Sequence, residues 1–394
     1  MEPSQLVFAL VFFFGLALFL VLKRRQVVIE WLLYPVLYFA MYRSSWGLNA
    51  MDTLAQKWRA CLKVLGAIAI GIGFIGMGLI SYQLAKNIVG ILTKSSGAST
   101  VGIVQPFAQN LPGTIFVPFV YFAVSIFVIA VLHEFSHGVM ARVHNCRVRS
   151  SGFAFLGFLI PVIPAAFVEP DEKEMAARPA HAQMAVIAAG AVSNILFALL
   201  LFVVIVYAIQ PLGDSLIHPL GVEVVTVSKN SPADLAGLKP GELITLLGNM
   251  PVKDSKQLLD ALTLMHAGDH ADLITNVSAH SVVMQGHPSK PGKPYFGVQV
   301  TNRFEISDTA KARYGTVLPA IALWVSGLLF WLFNLSLGIG LFNLVPLGPI
   351  DGGKLLQLSL LTWCEKDTAR KIWKTVSIVF LLAILFNVGA AFFI

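Results

Sequence analysis

Six stretches of this chain, residues 5 to 22, 62 to 84, 114 to 141, 182 to 209, 316 to 345 and 372 to 393, are apolar for about the length a helix needs to cross a bilayer. A bilayer core offers no water to exposed backbone groups, so such runs fold as helices that satisfy their own hydrogen bonds. Composition agrees. Of 394 residues, 56% are hydrophobic and 12% charged, about half the charge of a soluble domain, and the mean hydropathy is +0.76. An ordinary soluble enzyme is excluded, and a polytopic α-helical membrane protein of about six transmembrane helices is expected. The first run lacks a small-residue cleavage site and is followed by Lys23-Arg24-Arg25, so it reads as a retained span rather than a signal peptide.

The net charge of +7 does not point to nucleic acid, because the Lys and Arg gather at the ends of apolar runs instead of on a face interleaved with aromatic rings. The connections holding Lys23, Arg24, Arg25, Arg43, Lys57 and Arg59, then Arg142, Arg147 and Arg149, then Lys366, Arg370 and Lys371, are basic, whereas residues 95 to 118 carry no charge. The positive-inside rule therefore expects a multi-pass protein of the cell membrane with its N-terminus outside and its basic loops in the cytoplasm. Trp31, Tyr34, Tyr38, Tyr42 and Trp46, between the first two spans, suit the headgroup level, and His144, just past Arg142, reads as interfacial. Cys61, Cys146 and Cys364 match neither a zinc ribbon nor a disulfide framework and are expected to be reduced.

Four regions follow: residues 1–100, N-terminal transmembrane helices and an interfacial segment; 101–210, the first part of a membrane core; 211–315, an inserted soluble domain placed outside; and 316–394, the second part of the core and a last transmembrane helix. In the insertion apolar and polar residues begin to alternate. Residues 221–225 and 242–247 read as strands, 231–238 as a capped helical turn closed by glycine, and 254–264 as an amphipathic helix.

The chemistry sits in residues 133 to 137, His133-Glu134-Phe135-Ser136-His137. Positions i and i+4 share a helix face, so two imidazoles can bind one metal ion while Glu134 stands beside it, able to take a proton from water. No residue from 101 to 132 is charged, so the motif closes an apolar helix, where ionisable groups are costly enough to be functional by default. Catalytic zinc takes three protein ligands. The only acidic residue from 316 to 361 is Asp351, in the Pro- and Gly-broken run Asn343-Leu344-Val345-Pro346-Leu347-Gly348-Pro349-Ile350-Asp351-Gly352-Gly353. By the orientation above, the third and fifth spans both run inwards, which brings His133 and Asp351 to one depth.

These residues carry a resemblance. HExxH in one span and NxxPxxPxDGG after a later one, with an insertion between that resembles a PDZ domain over residues 219–301, are similar to the site-2 protease family. That resemblance implies one Zn2+ per chain held by His133, His137 and Asp351, with Glu134 as general base, hydrolysing peptide bonds within transmembrane segments of membrane-protein substrates. Gly190-Ala191-Val192-Ser193-Asn194 resembles the family's GxxxN element, with Ala191 where Pro is common. It puts Gly190 and Asn194 at the substrate, although Asn194 also suits a plain interhelical hydrogen bond and Gly190 plain close packing. Residues 152–158 resemble a re-entrant β-loop whose edge would pair with unwound substrate, and Asn343 is expected to bond the substrate backbone. The implied partners are transmembrane proteins and the lipid bilayer, with peptide termini at the PDZ-like domain and no nucleic acid. A metal-ion transporter would need ionisable groups at several depths, and none lies mid-span elsewhere. A catalytically silent PDZ scaffold would not need Glu134.

Overall fold

A computed structural model describes residues 3–33, 37–93, 102–107, 113–158, 160–287 and 290–390; Tyr34 lies outside them. The chain divides into two compact units, Met1–Ile205 with Gly327–Ile394, and Val206–Ser326. The first unit opens with α1 (Pro3–Leu22), β1 (Val27–Leu33), β2 (Leu37–Ser44), α2 (Leu48–Lys57), α3 (Arg59–Leu92), β3 (Ile103–Gln105) and β4 (Thr114–Phe116). It continues with α4 (Phe119–Val143), β5 (Val148–Phe158), β6 (Ile160–Pro170), α5 (Glu172–Ala176) and α6 (Ala180–Val204). After a π-helical turn, Ile205–Ile209, the inserted unit holds α7 (Gln210–Leu216), β7 (Ile217–Val227), α8 (Pro232–Leu235), β8 (Leu243–Leu247), β9 (Met250–Pro251) and α9 (Ser255–Thr263). Then come β10 (His270–Thr275), β11 (Ala279–Val283), β12 (Gln285–His287), β13 (Lys290–Tyr295), β14 (Val298–Ile306) and α10 (Asp308–Tyr314), before α11 (Val317–Asn343), α12 (Asp351–Trp363) and α13 (Lys366–Ala390).

Six helices among the described residues are long and apolar enough to cross a membrane: α1, α3, α4, the run Ala180–Leu216, α11 and α13. They pack through small residues. On α3, Gly66, Ala69, Gly73 and Gly76 form a buried stripe. A Cβ on Gly66 would come within 3.2 Å of Ala185 Cβ on α6, and one on Gly76 within 2.5 Å of Leu344 Cδ1, so the backbones approach as closely as small residues allow. Further along, Asn87 Nδ2 donates to Asn387 Oδ1 at 2.6 Å, joining α3 to α13 through a buried polar pair.

The aromatic segment after α1 folds as the hairpin β1–β2 and joins β5–β6 in a four-stranded antiparallel sheet, in the order β1-β2-β5-β6. Aromatic residues suit a pleated surface as well as a headgroup layer, so composition could not separate the two. Tyr42 lies opposite Phe153 and Ala40 opposite Phe155. Gly152 makes the approach possible, since a Cβ there would lie 2.0 Å from the Tyr42 carbonyl oxygen. The expectation that residues 152–158 offer a free strand edge is therefore corrected: β5 is paired with β2 on one side and β6 on the other. The open edge on that side of the sheet belongs to β6. Beyond β6, Asp171 caps α5 by accepting the Lys173 and Glu174 N–H groups. A bond from Arg149, followed by the Glu174 N–H, holds its carboxyl below the ordinary carboxylate value.

The inserted unit, Val206–Ser326, extends beyond the expected 211–315 at both ends. Its main sheet runs β11-β10-β8-β7-β14, with β9 on β8, around a core that includes Val222, Val224, Ile244, Leu247, Leu258, Leu273 and Val282. Ser231 caps α8 by accepting the Asp234 N–H, and α9 occupies the expected amphipathic segment. Glu242 is buried. Its Oε2 accepts from Thr275 Oγ1 at 2.8 Å and lies 3.0 Å from His280 Nε2, while its Oε1 accepts the Lys239 N–H at 3.0 Å. Burial alone would raise this carboxyl, but the bonds from His280, Thr275 and Lys239 outweigh it and hold the group below its ordinary value. Cys61, Cys146 and Cys364 are all unpaired.

Candidate metal centre

One turn of α4 stacks His133 under His137, their rings 4.7 Å apart and almost perpendicular at 83°. Asp351 arrives from the far end of the sequence as the first residue of α12. Gly352 and Gly353 seat that helix on the loop before it, because Cβ atoms there would lie 2.3 Å from the Leu344 carbonyl oxygen and 2.2 Å from that of Leu347. From α13, Trp373 Nε1 donates to the Gly353 carbonyl at 2.9 Å and Ser377 Oγ accepts the Gly348 N–H at 3.1 Å, so the loop is braced on both flanks.

The three side chains converge on one point. His133 Nε2 lies 3.1 Å and His137 Nε2 3.3 Å from Asp351 Oδ2, and the two Nε2 atoms are 3.1 Å apart. Tetrahedral zinc with bonds near 2.0–2.1 Å sets neighbouring ligand atoms about 3.3 Å apart, so this near-equilateral triangle has the size of one face of such a site. Asp351 Oδ2 is buried without a hydrogen-bond partner, as a ligand oxygen in reserve for a cation would be. These residues fit a metal ion.

Neighbouring groups orient the imidazoles for that task. His137 Nδ1–H donates to the Val186 carbonyl at 2.7 Å, which leaves the Nε2 lone pair aimed at Asp351. His133 Nδ1 lies 3.2 Å from Asn194 Nδ2, while Asn194 Oδ1 is buried without a partner. A half-turn of the amide lets Oδ1 accept Nδ1–H and frees His133 Nε2 in the same way. Gly190 makes room: a Cβ there would stand 2.3 Å from His137 Nε2 and 2.8 Å from His133 Cε1. Asn194 and Gly190 thus lie against the histidines, not on the lining of the main cavity.

That cavity, about 1070 Å³, is lined by His133, Glu134, His137, Asp351 and, from the sheet, Val168 and Glu169. Glu134 is half-buried, and its Oε2 accepts the Val168 N–H at 3.1 Å. Val168 is on β6, the last strand of the sheet among the described residues, so the carboxylate meets the sheet at that strand. On the other flank Lys354 Nζ stands 4.0 Å from Asp351 Oδ1. Asn343 closes α11, half-buried, and does not line the cavity. Sequence reasoning missed Val168 and Val186, which act through backbone groups that leave no side-chain signature. A glycine three residues before Ser193 and four before Asn194 was the only cue to the space kept clear at Gly190.

Comparison with known proteins matches residues 121–384 to Peptidase family M50, a span that holds both motifs. Among curated proteins the chain is similar to the zinc metalloprotease RasP of Shouchella clausii, at 23% identity over 51% of this chain and 56% of that one. The chain thus matches little more than half the length of this relative. Among solved structures, the PDZ domain of the SdrC-like protein of Listeria monocytogenes is similar at 22% identity and a TM-score of 0.19, covering 20% of this chain and 86% of that domain.

Proposed function

Because this chain belongs to Peptidase family M50, we propose that it is a zinc-dependent endopeptidase that hydrolyses peptide bonds within the transmembrane segments of membrane proteins. The observation that carries this reading is the triangle of His133, His137 and Asp351 ligand atoms, 3.1–3.3 Å on each edge, with Glu134 on the wall of the same cavity. His133, His137 and Asp351 are the proposed ligands. When bound there, zinc polarises a scissile carbonyl and lowers the pKa of water towards 7. Glu134 accepts the proton of the attacking water and later delivers it to the leaving amine. Val186 and Asn194 hold the two imidazoles in the tautomer that ligation needs, and Gly190 keeps the space between them clear.

A substrate helix hides its carbonyl in its own hydrogen bonds, so cleavage requires local unwinding. We assign the docking of the extended segment to the outer edge of β6, in place of residues 152–158. The Val168 N–H, directed at the cavity, supports this: a strand paired there lies against Glu134. Asn343 is kept as a contact to unwound backbone in the loop before Asp351. The hairpin β5–β6 is proposed to be re-entrant, the inserted unit to bind peptide termini outside the cell, and the metal site to lie towards the cytoplasm; the distribution of Lys and Arg supports this orientation.

The test is reconstitution of the full chain with a model transmembrane substrate, comparing wild type and Glu134→Gln for cleavage and for bound zinc. Retained zinc with cleavage abolished is expected, and equal cleavage by the two proteins rejects the assignment. In the same assay Asn343→Ala should slow cleavage with zinc retained; loss of zinc would sink its role at the substrate.

A further inference from the structure

Three apolar helices bring cations to one end of the bundle. Arg59 opens α3 with Lys63 one turn further, His144 and Asn145 follow α4, and Arg178 and His181 flank the start of α6. Arg59 and Arg178 both donate to Asn145, the first to its side-chain Oδ1 and the second to its backbone carbonyl. The His144 and His181 rings stand 6.3 Å apart at 77°. Among the described residues, no carboxylate pairs with Arg59, Lys63 or Arg178. Asp52 and Glu174 line a cavity with Arg59 and Asn145, but Asp52 is engaged by Arg142 and Glu174 by the Arg147 N–H.

Two further features point to a ligand. Arg178 Nε and His144 Nε2 are both buried without a hydrogen-bond partner, an arrangement that proteins avoid unless something else accepts from them. Burial, then the neighbouring His181, Lys63, Arg59 and Arg178, hold the His144 imidazole below its ordinary value. The 25-residue helix α6 adds its positive end, since Pro179 at its N-cap supplies no side-chain acceptor. Unpaired donors among uncompensated positive charge require an acceptor-rich anion.

We propose that Arg59, Lys63, His144, Arg178 and His181 form a binding site for a phosphate group, presented by the headgroup of an anionic phospholipid. Phosphate oxygens accept from Arg178 Nε–H and, in the neutral tautomer that carries its proton there, from His144 Nε2–H. Headgroups are the source that the position favours, because the apolar spans end where these cations begin. The site stands apart from the metal cluster and does not depend on the peptidase reading. It still bears on that cluster: a bound headgroup ties the end of α4, seven residues beyond His137, to the starts of α3 and α6.

The experiment uses the full chain in phosphatidylcholine nanodiscs doped with phosphatidylglycerol, with bound lipid counted by native mass spectrometry and affinity measured by titration. Wild type is expected to retain phosphatidylglycerol over phosphatidylcholine. Removing one surface cation near a headgroup weakens binding about fivefold, so Lys63→Gln should lose about fivefold and Arg59→Gln with Lys63→Gln about 25-fold. Both positions are exposed, and unchanged melting temperatures establish that the variants fold. Arg178→Lys, which keeps the charge but lacks Nε–H, should also weaken binding. Unchanged affinity in the double variant overturns the site. Inorganic phosphate binding as tightly as the lipid overturns the headgroup as its source.

Discussion

Replacing Gly190 by alanine tests the metal centre at its tightest point. The new Cβ would meet His137 Nε2 at 2.3 Å, His137 Cε1 at 2.6 Å and His133 Cε1 at 2.8 Å, distances at which atoms must move. His137 cannot swing aside freely, because its Nδ1–H is committed to the Val186 carbonyl at 2.7 Å. Breaking that buried bond costs about 1–3 kcal/mol, and holding the ring off its rotamer costs about 0.5–1.5 kcal/mol more. A penalty of about 1.5–4.5 kcal/mol against the ligating geometry corresponds to a loss of about 12- to 1,600-fold in zinc affinity. Competition against a chelator of known affinity reads this directly, with Gly78→Ala as a control, since nothing lies within 4 Å of a Cβ at that position. Affinity within threefold of wild type in Gly190→Ala would refute the claim that these histidines and this glycine share one crowded site.

Two other outcomes follow from groups already described. Asn194→Ala removes the acceptor for His133 Nδ1–H without adding bulk at this buried position, and loss of such an orienting partner costs about 10- to 100-fold in metal affinity; unchanged zinc binding would show that the amide has no part in setting the tautomer. In the inserted unit, Glu242 is held below its ordinary value of 4.5, so its stabilising contribution is complete above that pH and is lost as pH falls through the lower folded value. Hydrogen-exchange protection over the inserted unit, taken relative to the intrinsic rate at each pH, should therefore fall in acid more steeply in wild type than in Glu242→Gln, and identical pH slopes would reject the linkage.

What the sequence disclosed depended on how each feature is encoded. The six spans were legible because length and apolarity alone define them, and six helices among the described residues meet both criteria. His133, His137 and Asp351 were legible because few other ionisable residues compete for attention in apolar surroundings. The sheet was misread at two of its strands. Residues 37–44 carry the aromatic composition of an interfacial segment, and nothing local says that Tyr42 will face Phe153 more than a hundred residues later. For the same reason β5 was taken as an edge: a strand's neighbours are set by partners that its own residues do not name. Asn194 and Gly190 were found by pattern, but only geometry sets them against the imidazoles, because a glycine's reason lies in the atoms it leaves room for.

The pairing of β2 with β5 bears on how this protein can be dissected. The region shared with its family begins at residue 121, after β1 and β2 are complete. A fragment trimmed to that region would keep both motifs and every proposed ligand, yet strip one flank of β5 and bare a long row of backbone donors and acceptors from Ser151 to Phe158. Bared strands of that length recruit whatever extended chain is nearby, including one another. The smallest autonomous fragment that holds the proposed metal site therefore has to begin before Val27, and shorter pieces are expected to self-associate even though they keep every proposed ligand.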